Sequence, residues 1–192
     1  MLRGLYDWTL RLAEHPRALW ALALVSFAES SVFPIPPDVL MIPMILARPG
    51  RAWLIAGVAL VSSVLGGLAG YAIGAFAYES LGRPILEALG KEEAMAAFNE
   101  TFNGVGFWAV LVAGVTPFPY KVITIMSGWT ALPLATFLVT SVLARGLRFF
   151  VLAALLRAYG PPIRDFIERR LGLVFTLFVV LLIGGFLVLR LM

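Results

Sequence analysis

The stretch ALWALALVSFAESSVFPIPPDVLMIPMILA, residues 18–47, decides the fold. It is apolar from Ala18 to Phe33, breaks at Pro34, Pro36 and Pro37, and is apolar again from Asp38 to Ala47. Arg48, Pro49, Gly50 and Arg51 close it. At ~1.5 Å per residue neither arm comfortably crosses ~30 Å of hydrocarbon. Proline lacks the amide hydrogen and clashes with the preceding turn, so the helix stops at the cluster. The two arms therefore predict a re-entrant helical hairpin tipped by the prolines. Non-helical backbone at membrane depth is tolerated only inside protein or beside a polar cavity, which places the tip in the interior.

The residues that follow extend this reading. Residues 52–78 form an apolar span on which Gly66, Gly70 and Gly74 recur every four residues. Such a small-residue stripe lets a second helix approach closely, within one chain or across a homodimer. Residues 84–100 are amphipathic, with Glu87, Lys91, Glu92, Glu93 and Glu100. Residues 105–128 repeat the hairpin pattern, broken at Pro117 and Pro119, and residues 133–156 form the next span. Residues 1–17 read as an amphipathic helix lying in the interface. Residues 161–192 read as a basic loop and then a closing C-terminal transmembrane helix, with its apolar span from Leu173 to Leu189. With 61% hydrophobic and 14% charged residues, the 192-residue chain departs from soluble domains, which are roughly half apolar and a quarter charged. The expected fold is an all-α integral membrane protein of one membrane domain. The apolar run after Ala18 contains Glu29 and leads into prolines rather than a cleavage site, so it is expected to stay in the mature protein.

The two halves resemble each other. Pro34-Ile35-Pro36-Pro37-Asp38-Val39 parallels Pro117-Phe118-Pro119-Tyr120-Lys121-Val122. Val61-Ser62-Ser63-Val64-Leu65 parallels Val139-Thr140-Ser141-Val142-Leu143. A hairpin that returns to its own side, followed by one crossing, makes the repeat inverted, as in transporters whose substrate site lies where the halves meet. This topology gathers Arg3, Arg11, Arg17, Arg48, Arg51, Arg157, Arg164, Arg169 and Arg170 on one face, leaving Arg83, Lys91 and Arg190 on the other. The positive-inside rule makes the first face cytoplasmic, N-terminus included. The same distribution accounts for the net charge of +4, so nucleic-acid binding is not expected.

Several chemistries are absent from the sequence. Cysteine is missing, which excludes thiol catalysis and disulfides. The single His15 beside Pro16 reads as a surface residue. No cluster for a metal and no phosphate loop for a nucleotide is visible, so no cofactor and no enzymatic step are expected.

Five charges fall at membrane depth: Glu29, Asp38, Lys121, Arg145 and Arg148. Each costs ~2.5–3.5 kcal/mol on insertion scales, so they should face one another or a cavity. They could lock the hairpins together as structural pairs. They could also line a site. Arg145 and Arg148 share one helix face where the first repeat has Gly67 and Gly70. Three bases against two acids leave room for an anion, and guanidinium forks suit phosphate. Desolvated carboxylates can exchange protons near neutral pH. Glu29 and Asp38 are thus expected to couple protons, and Lys121, Arg145 and Arg148 to bind a phosphate-bearing substrate.

Phe27-Ala28-Glu29 leading to Phe33-Pro34-Ile35-Pro36-Pro37-Asp38, and Gly114-Val115-Thr116-Pro117-Phe118-Pro119-Tyr120-Lys121 leading to Ser127-Gly128, resemble the DedA family, also called the VTT-domain superfamily. The likeness covers about residues 20–160. The Thr116–Lys121 segment and Arg145–Phe150 look like the YqaA-like branch. Gly114 stands where many members carry an arginine, and Tyr120-Lys121 lies near a second. The resemblance implies facing re-entrant hairpins in the bacterial cytoplasmic (inner) membrane. It also implies proton-dependent flipping or scrambling of phosphate-bearing lipids such as polyprenyl phosphate or phospholipid, with Glu29 and Asp38 as the matching acids. A carrier of a small ion or solute and a scaffold with structural buried charges are the alternatives.

Overall fold

The computed structural model describes residues 17–32, 36–116 and 118–169. The expected interfacial helix at 1–17, all but its last residue, and the closing span at 173–189 lie outside the described residues. What is described is helical, without strands.

Helix α1 (Ala18–Ser31) and helix α2 (Asp38–Ala47) flank the first proline cluster. Asp38 opens α2, where a negative side chain complements the helix dipole. Pro43 is tolerated inside α2, buried against the core. A 3-10 turn over Pro49–Arg51 leads into α3 (Ala52–Ala77). A π-helical turn at Tyr78–Gly82 joins α3 to α4 (Arg83–Leu89). Gly90, at φ 62°, ends α4 in the left-handed region that glycine adopts without strain.

Helix α5 (Glu92–Val115) then runs unbroken through residues expected to split into an amphipathic stretch and a hairpin arm. Gly90 is the true boundary, because nothing between Glu92 and Val115 interrupts the backbone hydrogen bonds. Thr116 turns extended before the second proline cluster, and α6 (Tyr120–Trp129) follows. Helix α7 (Leu134–Arg169) is longer than the expected span. It kinks at Tyr159 (φ −120°, ψ 20°), just before Pro161 and Pro162, and continues helically. The basic residues Arg164 and Arg169 thus fall on helix rather than in a loop.

Helix α3 is central, with α1, α6 and α7 packed around it. Its glycines allow this. A Cβ at Gly66 would lie 2.1 Å from the Phe27 carbonyl oxygen, and one at Gly74 would lie 1.9 Å from that of Ile125. One at Gly70 would lie 2.3 Å from Thr124 Oγ1. The stripe is therefore consumed within the protomer, against α1 on one side and α6 on the other.

Two apolar clusters sit at opposite ends. The first gathers the start of α1 (Ala18), the end of α2 (Leu46), the start of α3 (Ala52) and Leu156 of α7. Helices α1 and α2 thus begin and end at the same end of the molecule. The second cluster holds Val110, Ala113, Tyr120, Leu132 and Phe137. There the corner between α6 and α7 is pinned by Tyr71, whose hydroxyl donates to the Leu132 carbonyl (2.8 Å), and by Asn103, which donates to that of Thr130 (2.8 Å).

The distribution of polarity is the reverse of a soluble protein's. Val61, Leu65, Phe76, Val139, Leu143 and Leu147 face outward, whereas Ser30, Ser63, Thr124, Ser141 and Arg145 are buried. Two helical segments, Pro49–Leu89 and Leu134–Gly160, are long and apolar enough to cross a membrane.

Candidate functional site

A polar layer separates the two apolar clusters, and all five expected charges lie in it. The two helices that flank the first proline cluster supply the acids. Glu29 stands at the end of α1, and Asp38 at the start of α2. Helix α7 supplies the arginines one turn apart.

Arg145 reaches Glu29, its guanidinium nitrogen donating to Oε2 at 2.7 Å. Its Nε donates to Ser63 Oγ on α3 at 2.7 Å. Ser63 Oγ lies 2.7 Å from Ser30 Oγ, and Ser30 donates to Glu29 Oε2 at 3.1 Å. Each hydroxyl has one proton. Ser30 gives its own to Glu29, so Ser63 gives its own to Ser30 and accepts from Arg145. Every hydrogen in this ring is directed toward Glu29. The guanidinium also meets the rings of Tyr120 (4.8 Å) and Phe149 (4.6 Å), and Tyr120 in turn donates to Ser141. Arg145 is 1% exposed and Glu29 13%.

The second pair is shallower. Arg148 is ion-paired and hydrogen-bonded to Asp38 and donates to the Thr116 carbonyl at 2.7 Å. Both members are about one-fifth exposed, at 21% and 20%. Lys121, at the start of α6, donates to the Val32 carbonyl at 3.3 Å across the hairpins. Next to it, Thr124 Oγ1 donates to the Ser30 carbonyl at 3.0 Å. The two tips thus touch directly.

Each arginine takes one acid. Among the described residues Lys121 has no carboxylate partner. Arg145 is enclosed by protein. Of the tip prolines, Pro37 is buried and Pro36 and Pro119 are half-buried, whereas Pro34 and Pro117 lie outside the described residues. Sequence reasoning did not single out Ser30, Ser63, Tyr120 or Phe149 for the site. Ser63 carried a signal, as a hydroxyl on an otherwise apolar span within the repeated Val-x-Ser motif.

The VTT domain model matches residues 35–158, which include α2, both spans and every one of these charges except Glu29. The chain belongs to the VTT-domain family. An uncharacterized protein of Haemophilus influenzae is 33% identical over 186 residues, covering 97% of this chain and 96% of that protein. A second, from Histophilus somni, is 33% identical over 168 residues, covering 85% and 87%. No solved structure matches the chain. The family and the two apolar helices together point to a membrane protein.

Proposed function

We propose that this VTT-domain protein is a proton-coupled carrier that flips or scrambles phosphate-bearing lipids, either polyprenyl phosphate or phospholipid. The observation that carries the proposal is the imbalance of the polar layer: three cations, Arg145, Arg148 and Lys121, against two carboxylates, Glu29 and Asp38. The surplus is at the accessible end. A lipid phosphate displaces Asp38 from Arg148 and is met by Lys121. A proton taken up by Asp38 favours that exchange, since a neutral acid holds the guanidinium less tightly. Arg145 serves as a positioning residue that fixes Glu29 and α1.

The membrane reading supports this chemistry. Helices α1 and α2 start and end in one apolar cluster and act as a re-entrant hairpin, with α5 and α6 as its inverted counterpart. The end bearing Arg17, Arg48, Arg51 and Arg157 faces the cytoplasm of a bacterium, by the positive-inside rule. The protein performs no covalent chemistry in this scheme.

A second reading has its own support. The ring around Arg145 is closed and nearly dry, as a structural lock would be. A scaffold built on buried pairs predicts that no lipid moves. Reconstitution into liposomes with labelled polyprenyl phosphate or phospholipid, with and without a pH gradient, separates the two. The carrier accelerates lipid movement and responds to the gradient. Rates equal to those of protein-free liposomes leave the scaffold.

A further inference from the structure

Away from the polar layer, the two ends of the molecule differ sharply in charge. One carries Glu79, Glu87, Glu92, Glu93 and Glu100 against Lys91 and Arg83, the latter already paired to Glu79 at 2.8 Å. The other carries Arg17, Arg48, Arg51 and Arg157. It also carries exposed aromatic side chains: Trp20 (77%), Trp53 (44%) and Tyr159 (61%). Aromatic residues of this kind settle at the headgroup level of a bilayer.

Within this rim one group is organised. The Trp53 ring stacks on Phe150, with centroids 5.9 Å apart, and the Arg157 guanidinium lies 5.7 Å from the Trp53 ring centre. Arg51, two residues before Trp53, is exposed and has no ion-pair partner among the described residues. The turn holding it has open space, because a Cβ on Gly50 would meet nothing within 4 Å. Two guanidiniums thus border an uncrowded turn at the boundary between apolar and polar surface.

We propose that Arg51 and Arg157, with Trp53 between them, form a site for the headgroup of an anionic phospholipid from the surrounding leaflet. The phosphate sits over the Pro49–Arg51 turn, and the acyl chains run down the apolar faces of α3 and α7 beside Trp53 and Phe150. The arginines supply charge, and the tryptophan fixes the depth. This site is separate from the polar layer and does not depend on the carrier reading. Its occupant anchors the protein and sets its height in the membrane.

Binding of phosphatidylglycerol and phosphatidylcholine to the purified full chain, followed by native mass spectrometry, provides the test. The wild type should retain phosphatidylglycerol in preference to phosphatidylcholine. Removing one arginine should weaken that binding about fivefold, the equivalent of ~1 kcal/mol per charge at a membrane surface. The double variant Arg51→Gln with Arg157→Gln should lose most of it, whereas Arg51→Lys with Arg157→Lys should keep most. Arg83→Gln at the opposite end should leave it intact. Equal retention of the two lipids by the wild type, or undiminished phosphatidylglycerol binding by the double Gln variant, overturns the site.

Discussion

Arg145 and Arg148 lie three residues apart on α7, and each holds one carboxylate from the first hairpin. Arg145 is 1% exposed, in contact with two aromatic rings and closed into a ring of hydroxyls with Glu29. Arg148 is 21% exposed and shares its guanidinium between Asp38 and a backbone carbonyl. Proximity in sequence thus does not give the two arginines one job. A charge withdrawn from water must keep every partner, because losing one leaves an uncompensated ion in a low dielectric. A charge at the rim of the layer can exchange its partner for a ligand or a proton. The deep pair is suited to holding helices in place, and the shallow pair to carrying the chemistry.

The largest effect should come from breaking the deep pair. Glu29→Ala leaves Arg145 buried without its counter-charge and should destabilise the protein by about 3–5 kcal/mol. Thermal unfolding in detergent should show a large fall in Tm. Replacing both members, as Glu29→Gln with Arg145→Met, should recover much of that loss. A single variant as stable as wild type would show that the ring is dispensable.

A smaller loss should follow from pushing α1 away without touching a charge. Gly66→Ala directs a methyl at the Phe27 carbonyl, two residues from Glu29, and overpacking of this kind costs about 1–3 kcal/mol. Gly57→Ala, where nothing lies within 4 Å, is the control and should be neutral or slightly stabilising. If both changes gave the same unfolding curve, the stripe would not set the distance between α1 and α3.

The shallow pair should separate stability from function. Arg148→Lys keeps the charge and loses the planar fork, so Tm should fall by the equivalent of only about 1 kcal/mol while lipid-phosphate binding weakens clearly. Lys121→Gln should alter Tm least of all, since Lys121 makes one long hydrogen bond among the described residues, and should still reduce phosphate binding. Binding unchanged in both variants would remove the phosphate from this rim.

Much of this was visible in the sequence because its signals are local. Prolines at 36, 37 and 119 stop helices through their own geometry, and uncharged runs mark the spans by length. The five charges stood out because charge is rare at that depth. What stayed hidden depends on how faces meet. The spacing of Arg145 and Arg148 places them on one side of α7, but only packing shows that α1 reaches the first and α2 the second. The ring through Ser30 and Ser63 joins residues 33 apart, and no local pattern encodes that contact. The continuity of α5 was hidden for a different reason. Its polar first half and apolar second half read as two elements, although the backbone needs no break between them. The helix past Pro161 and Pro162 persists because prolines in the first turn of a new segment lose little hydrogen bonding.

Asp38 is the residue on which proton-coupled lipid movement depends most directly. The measurement is the rate of labelled lipid movement in liposomes carrying wild type or Asp38→Asn, taken across a range of pH, with unfolding curves recorded for both. Wild-type movement should depend on pH. Asp38→Asn, which mimics the protonated acid, should unfold close to wild type and move lipid at a rate that no longer depends on pH. Asp38→Asn that moves lipid at the wild-type rate with the same pH dependence would contradict the account.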